Sequence, residues 1–335
     1  MGSERRCVYV TRGWGIHDER WTAALSSSGF AVTDLSIERD ELSIAAIRND
    51  LMDSTDPVLA GPIDVTQDLI GIHAPLFGLS WGFDLVNAHE RNDDLTWMTD
   101  LAGLIVDSRN TRRIALESGI AADRVHTIPW GVDLDTFTTD GPPTDLSAFG
   151  VPATSKVVVS LRALEPMYRA EDIVRGFAHL AAQIPDAHLV IGNDGSLRPH
   201  LESLVQSLRI EDRVTFIGSL PEQSLPGLLR AAEVYVTASE VDGSSVTLLQ
   251  AMACGTAVVA SDTPGNSEWI TPGVCGLLFR VADPVDLAAA LGGLLTSPTP
   301  ESAHRFGSQA RKVVKERADW GQNSTQLARI LLTHT

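Results

Sequence analysis

Two polar side chains bracket the start of an apolar run in "DGSSVTLLQAMACGTAVVAS", residues 242–261: Asp242 before the Gly-Ser turn, and Gln250 eight positions on. Gly243, Ser244 and Ser245 lie just ahead of a helix expected to open at Val246 and Thr247. Free backbone N–H groups at a helix start, with the helix dipole behind them, form an anion site. Gly243 allows close backbone approach. Val246 to Gln250 is about one turn, so Gln250 shares a face with the helix start. It is placed to reach a ribose while the helix start holds a phosphate, and Asp242 to accept hydrogen bonds from sugar hydroxyls. The same residues also suit a plain N-cap and an exposed polar position.

Arg162 follows the apolar run "VVVS", and Arg169 lies in the same loop. Two guanidinium groups at the carboxyl end of a strand suit a diphosphate. Asn193 in "IGNDGS" and Gly218 and Leu220 in "IGSLPE" occupy equivalent loops and join the donor-binding candidates. No G-x-G-x-x-G fingerprint is present.

In the first half, "TRGWGIHDERW" follows the first strand. Gly13, Trp14 and Gly15 make a loop able to approach phosphates or an acceptor. His17 and Asp18 stand at its expected edge, where His17 offers either a base for an acceptor or a helix-capping group. Trp81 and Asp84 occupy a later loop, "WGFD". "DLD" at 133–135 mimics a D-x-D metal motif but reads as a structural turn, and no Cys/His spacing suggests zinc; no metal or other cofactor is expected.

These candidates need strand ends to carry them. Apolar strand runs alternate with helical patterns in both halves, which implies parallel sheets with helices on both faces. The texture changes at "TTDGPPTDLSAFGVPATS", residues 138–155, which reads as a linker. The expected organisation is a first α/β domain over 1–140, a second over 141–318, and a C-terminal helix over 319–335 that crosses back to the first. Ligands of such sheets bind outside the carboxyl ends of the strands.

The 335 residues carry a net charge of −17, with 44% hydrophobic and 21% charged side chains. That is globular composition, and the acidity argues against nucleic acid and against stable membrane association. No apolar run reaches the roughly 18 to 20 residues of a membrane span, and the N-terminus lacks a signal-peptide core. Cys7, Cys254 and Cys275 sit in apolar settings and read as reduced core residues of a cytoplasmic protein.

The second half resembles the donor domain of the family 4 retaining glycosyltransferases with the GT-B fold. The resemblance rests on "SLRALEPMYRAEDIVRGF", "LVIGNDGSLRPHLESLV", "DRVTFIGSLPEQSLPGLLRAAEVYVTAS", "DGSSVTLLQAMACGTAVVASDTPGNSEWI" and "GVCGLLF". "RVHTIPWGVDLDTF" is similar to the family signature "IPNGVD", with Trp130 for Asn. The match is specific over about residues 100 to 300 and weak before them. It implies two Rossmann-like domains facing a central cleft, donor in the second and acceptor in the first.

The family's E-x(7)-E motif falls on Asp242 and Gln250, so both carboxylates are altered. Its Arg…Lys diphosphate pair maps to Arg162 and to Met167, which leaves the second role to Arg169. Its "HG" appears as Trp81-Gly82, without the acceptor-side His. The implied reaction moves a sugar from a GDP- or UDP-linked donor to a small soluble acceptor with retention, by same-face attack in which the leaving diphosphate takes the acceptor proton. A step of antibiotic or other specialised metabolism fits an Arg-rich composition, and a homodimer is possible. Two other readings are a non-catalytic nucleotide-sugar-binding protein and a nucleotide-sugar epimerase.

Overall fold

The structure, a computed structural model, describes residues 5–296 and 301–333. It divides into two compact units, Met1–Trp130 with Trp320–Thr335, and Gly131–Asp319.

The first unit holds strands β1 (Arg5–Thr11), β2 (Phe30–Ser36), β3 (Val58–Gly61), β4 (Leu76–Leu79), β5 (Gly103–Val106) and β6 (Val125–Thr127). Its helices are α1 (Ile16–Ser27), α2 (Ile44–Leu51), α3 (Ile63–Asp68), α4 (Phe83–Glu90) and α5 (Arg109–Glu117). The second unit holds β7 (Lys156–Ser160), β8 (Ala187–Gly192), β9 (Val214–Gly218), β10 (Val234–Thr237), β11 (Ala257–Ser261) and β12 (Leu277–Phe279). Its helices are α6 (Ala170–Ala181), α7 (Arg198–Ser207), α8 (Leu225–Arg230), α9 (Val246–Ala253), α10 (Pro264–Ser267), α11 (Pro284–Leu295) and α12 (Glu301–Arg317). The last helix, α13 (Trp320–Leu332), belongs to the first unit and packs on α1.

Each sheet has six strands, ordered β2-β1-β3-β4-β5-β6 and β12-β11-β10-β7-β8-β9, with every pair parallel. The strand order reverses between β1 and β3 and between β7 and β10, and the crevice at such a reversal is where open α/β sheets bind ligands.

The strands are continuous apolar runs because both faces are covered. Successive residues feed opposite layers. In the second unit Val158, Val234 and Val236 join Phe177 of α6, Leu201 of α7 and Leu287 of α11. Their neighbours Val157, Val159 and Tyr235 join Leu228 of α8 and Leu248 of α9. Cys7, Cys254 and Cys275 are buried free thiols, and burial pushes Cys7 and Cys254 up to about 12.

The division after Trp130 precedes the boundary expected at 140/141. The Pro- and Gly-rich stretch lies within the second unit, because its Leu146 and Val151, with Val132 and Phe137 just before it, are buried in that unit's core. Their apolar spacing outweighs the linker-like composition around them. The "DLD" stretch is a local turn, in which the Asp133 carboxylate accepts from Asp135 N at 3.0 Å and from the Thr136 hydroxyl at 2.7 Å.

Candidate functional site

The reversal in the second sheet brings the loop after β7 against the loop after β10. α9 opens at Val246 with Ser245 as its N-cap, and its first helical bond runs from Leu249 N to Ser245 O at 3.0 Å. The amides of the first turn therefore have no intrahelical acceptor. Ser245 makes no side-chain cap; its hydroxyl accepts from Arg162 Nη1 at 3.0 Å. Arg162 Nη2 lies 3.2 Å from Asp242 Oδ2, with side chains only 15% and 10% exposed. The guanidinium also lies over the Tyr168 ring at 4.1 Å. Burial would lower the Arg162 pKa, but Asp242 and its tyrosine neighbours more than offset that and raise it, so the cation persists. Asp242 Oδ2 and Arg162 Nε are buried without a hydrogen-bond partner.

Gly243, Ser244 and Ser245 are buried, whereas Val246 and Thr247 are half-buried, with Thr247 Oγ1 2.7 Å from the Tyr235 hydroxyl. Burial pushes Tyr235 up to about 12, so it stays a neutral phenol. Gln250 is 5% exposed; its Nε2 donates to Glu222 Oε1 at 3.4 Å and its Oε1 is buried without a partner. Gln250 is thus a buried member of the site rather than an exposed helix polar.

Arg169 is placed differently from Arg162. Its Nε binds Asp172 Oδ2 at 2.6 Å and its Nη1 binds Glu240 Oε2 at 3.2 Å, so its guanidinium is held by two carboxylates. Hydrogen bonding by Asp172 is the main cause of its raised pKa. Arg162 and Arg169 form two rungs between the same pair of loops, one ending at the start of α9 and the other at Glu240.

Asn193 and Gly218 both adopt positive φ, at 80° and 71°. Asn193 N donates to Gly218 O at 2.7 Å, its Nδ2 to Leu161 O at 3.4 Å, and its Oδ1 accepts from Ser219 at 3.1 Å. These bonds lace together the loops after β7, β8 and β9. Leu220 packs half-buried against the core below α9.

Residues outside the sequence-derived set complete the site: Tyr168, Glu222, Glu240 and Gly265. A Cβ at Gly265 would stand 2.0 Å from Asp242 O and 2.5 Å from Gly243 O, so only glycine lets this segment support the turn. The Thr-Pro-Gly-Asn turn chemistry at 263–266 is the sequence signal for it. Tyr168 shares the loop of Arg162, whereas no local signal marks Glu222 and Glu240, whose contacts depend on strand order.

The first unit has its own cavity, of about 900 Å³, at the carboxyl ends of its strands. Gly13, Trp14, Gly15, Trp81 and Asp84 line it with Arg12, Glu38, Asp64, Gln67, Asn87, Arg91, Asp93, Asp94 and Trp97. Arg12 is paired with Asp64, and Arg91 with Asp93 at 2.6 Å. The Arg39 guanidinium covers the Trp14 ring at 4.2 Å.

Asp84 accepts from Ser80 Oγ at 2.8 Å, Trp81 N at 3.0 Å, Leu85 N at 2.7 Å and Ile63 N at 2.9 Å. Burial raises its pKa, and these four bonds oppose the rise. Asp18, expected at the loop edge, is fully buried. Its Oδ2 accepts from Gly15 N at 2.8 Å and its Oδ1 from the Tyr9 hydroxyl at 2.9 Å, closing the start of α1. The His17 ring packs 4.4 Å from Trp130 and 6.2 Å from Trp81, and it does not line the cavity. Trp21 lies 5.3 Å from Trp130 and 5.0 Å from Trp320, which extends the cluster to α13.

Among the described residues, no group of three His, Cys, Asp or Glu side chains could hold a metal ion, and no helix is long and apolar enough to cross a membrane.

Known proteins share this architecture. Anabaena HepE, solved with UDP and glucose, superposes with a TM-score of 0.82 at 16% identity, covering 98% of this chain and all of that one. Sucrose-phosphate synthase from Thermosynechococcus elongatus gives 0.81 at 18% identity, covering 98% of each chain. The fold is therefore of the GT-B type, two Rossmann-like α/β units. D-inositol 3-phosphate glycosyltransferase 2 of Catenulispora acidiphila is 30% identical over 219 residues, 63% of this chain and 50% of its own length. Phosphatidyl-myo-inositol mannosyltransferase of Mycolicibacterium smegmatis is 32% identical over 240 residues, 70% of this chain and 58% of its own. The chain spans about half the length of curated relatives it matches. The family model described as "Glycosyl transferases group 1" matches residues 143–313, half of the chain and the whole frame of the Arg162–Asp242 site, and the chain belongs to that family.

Proposed function

We propose that this protein is a retaining glycosyltransferase that moves a sugar from a GDP- or UDP-linked donor to a small soluble acceptor of the kind specialised metabolism supplies. The observation that carries the reading is the convergence of Arg162 on the start of α9, 3.0 Å from Ser245 and 3.2 Å from Asp242. A permanent cation beside unpaired first-turn amides is suited to a diphosphate leaving group, whose charge grows as the glycosidic bond breaks. Asp242 would hold the sugar hydroxyls and Gln250 the ribose. Arg169 would reach the diphosphate only on release from Asp172 or Glu240. The acceptor attacks the face that the diphosphate leaves, and a diphosphate oxygen takes its proton. Charge is met by the protein's own groups, so the reading gives no step to a metal.

The first unit's cavity would take the acceptor. Its lining sets two arginines, both already paired, against five carboxyl groups. That field disfavours a phosphate-bearing acceptor, although two relatives are named for D-inositol 3-phosphate and phosphatidyl-myo-inositol. A neutral or amine-bearing polyol fits, with Trp81 and Trp97 as apolar walls and Gln67 and Asn87 as hydroxyl partners.

Thermal unfolding with GDP and UDP identifies the base, because a ligand at 100 times its Kd adds about 2.7 kcal/mol. Incubating the matching nucleotide sugars with neutral, amine-bearing and phosphorylated polyols then tests transfer. Sugar transferred with its anomeric configuration kept supports the reading; inversion, or binding without transfer to any polyol, rejects it.

A further inference from the structure

The second unit carries another cavity, of about 600 Å³, at the C-terminal ends of α8 and α9 and along α12. α9 runs from the end of β10 to the start of β11, so this cavity lies at the opposite end of that helix from Arg162. Its lining includes Arg230, Arg311, Lys312, Lys315 and His304 and, among the described residues, no carboxylate. Two of the three lysines of a chain with net charge −17 are gathered here.

Among the described residues, the two arginines are bonded to neutral oxygens only. Arg230 donates to Thr138 O at 3.0 Å and Pro142 O at 3.1 Å. Arg311 donates to Phe137 O at 3.1 Å and to Ala253 O, a carbonyl of the last turn of α9. Lys312 and Lys315 are exposed and form no ion pair among the described residues. A helix C-terminus offers only about half a negative charge. Even with α8 and α9 together, four permanent positive charges remain largely uncompensated, in a volume within the usual range for small-molecule sites. Stabilising α9 therefore accounts for the arginines but not for the lysines beside them.

We propose that this cavity is a second ligand site, separate from the donor site, that binds a phosphate group. Arg230 and Arg311 are pinned by carbonyls and supply a fixed field, while Lys312 and Lys315 close on the anion as mobile point charges. The surrounding acidity restricts the ligand to a compact phosphate, free or on a lipid headgroup, because a long polyanion would be repelled.

The three lysines make a site-resolved test. The intact protein is acetylated with an amine-reactive reagent and each lysine's rate is read by peptide mass spectrometry. Lys156, 39% exposed and 3.6 Å from Asp186, is the internal control. Inorganic pyrophosphate should slow acetylation of Lys312 and Lys315 severalfold and leave Lys156 unchanged, and rising salt should erase the protection. Protection by phosphatidylglycerol vesicles but not by pyrophosphate supports the site and assigns the phosphate to a lipid headgroup. Protection should persist in Arg162→Gln, which alters only the donor end of α9, and Lys315→Gln should weaken it at Lys312. Unchanged rates with both probes, equal slowing of Lys156, or loss of protection in Arg162→Gln would overturn the proposal.

Discussion

The His17 imidazole lies 4.4 Å from the Trp130 indole, ring centroid to ring centroid, and Trp81 stands 6.2 Å from the same imidazole. By the resemblance of the sequence, Trp81 falls where the family 4 "HG" histidine is expected and Trp130 where the asparagine of "IPNGVD" is expected. The two indoles are 6.4 Å apart, so these two departures and His17, which look independent along the chain, form one aromatic cluster. With the imidazole walled by indoles, we expect a packing role. His17→Phe should keep turnover within about tenfold, whereas loss of a general base costs about 10²-fold or more. His17→Ala should lower stability by about 0.5–1.5 kcal/mol for the lost ring contacts. A 10²-fold loss of kcat in His17→Phe with unchanged unfolding would return His17 to proton transfer.

The Arg162–Asp242 pair makes each partner's removal costly in a different way. Arg162→Ala should weaken nucleoside diphosphate binding by about 1.5–3 kcal/mol, the worth of a charge-assisted hydrogen bond. Asp242→Ala should destabilise the fold by several kcal/mol, because the buried Arg162 charge loses its counterion. Asp242→Asn also removes the counterion but keeps the shape and a polar oxygen beside Arg162, so it should destabilise less than Asp242→Ala and depress turnover of nucleotide sugar while sparing nucleoside diphosphate binding. Calorimetry on all three variants decides; equal loss of diphosphate affinity in Asp242→Asn and Arg162→Ala would show that Asp242 does not act through the sugar.

Gln250 faces Glu222 across 3.4 Å, an arrangement that a carboxylate at 250 could not share. Gln250→Glu, which puts back the acid that the resemblance to E-x(7)-E expects here, should therefore weaken ribose binding at neutral pH. Two carboxylates at this distance raise one pKa, so affinity should recover as pH falls. Gln250→Glu with Glu222→Gln should regain affinity at neutral pH. A Gln250→Glu variant that binds more tightly at neutral pH on its own would contradict this account.

The elements are largely legible in the chain, and their partnerships are less so. The start of α9 at Val246 follows from the Gly-Ser turn, and α13 answers to the C-terminal helix expected over 319–335. Strand alternation likewise foretells both sheets. Tyr168 beneath Arg162 belongs to the same loop, but Glu240 on Arg169 comes from the loop after β10, brought close by the β7–β10 neighbourhood, and Glu222 on Gln250 from the loop after β9. Nothing local encodes the last two. Asp18 and Asp84 show a second limit. A loop carboxylate reads as chemistry, yet each is drawn onto backbone N–H groups that open a helix and have no other acceptor.

Asp84 carries the clearest pH signature. It ties Ile63 N at the start of α3 to Trp81 N and Leu85 N at the start of α4. Asp84→Asn would turn an amide donor toward one of these N–H groups, which costs about 1–3 kcal/mol for the group left unsatisfied. Burial sets the carboxyl's folded pKa above its ordinary value of 3.8. The folded state therefore holds this proton longer than the unfolded chain does. The corresponding stability is full below the ordinary value and is lost as pH rises through the raised folded one. Asp84→Asn lacks that contribution at every pH. Urea unfolding of the two proteins at matched pH should show the wild-type advantage largest at the acid end and shrinking toward neutrality. An advantage that instead grows toward neutrality would mean that the four hydrogen bonds outweigh burial and that the folded carboxyl titrates below its ordinary value.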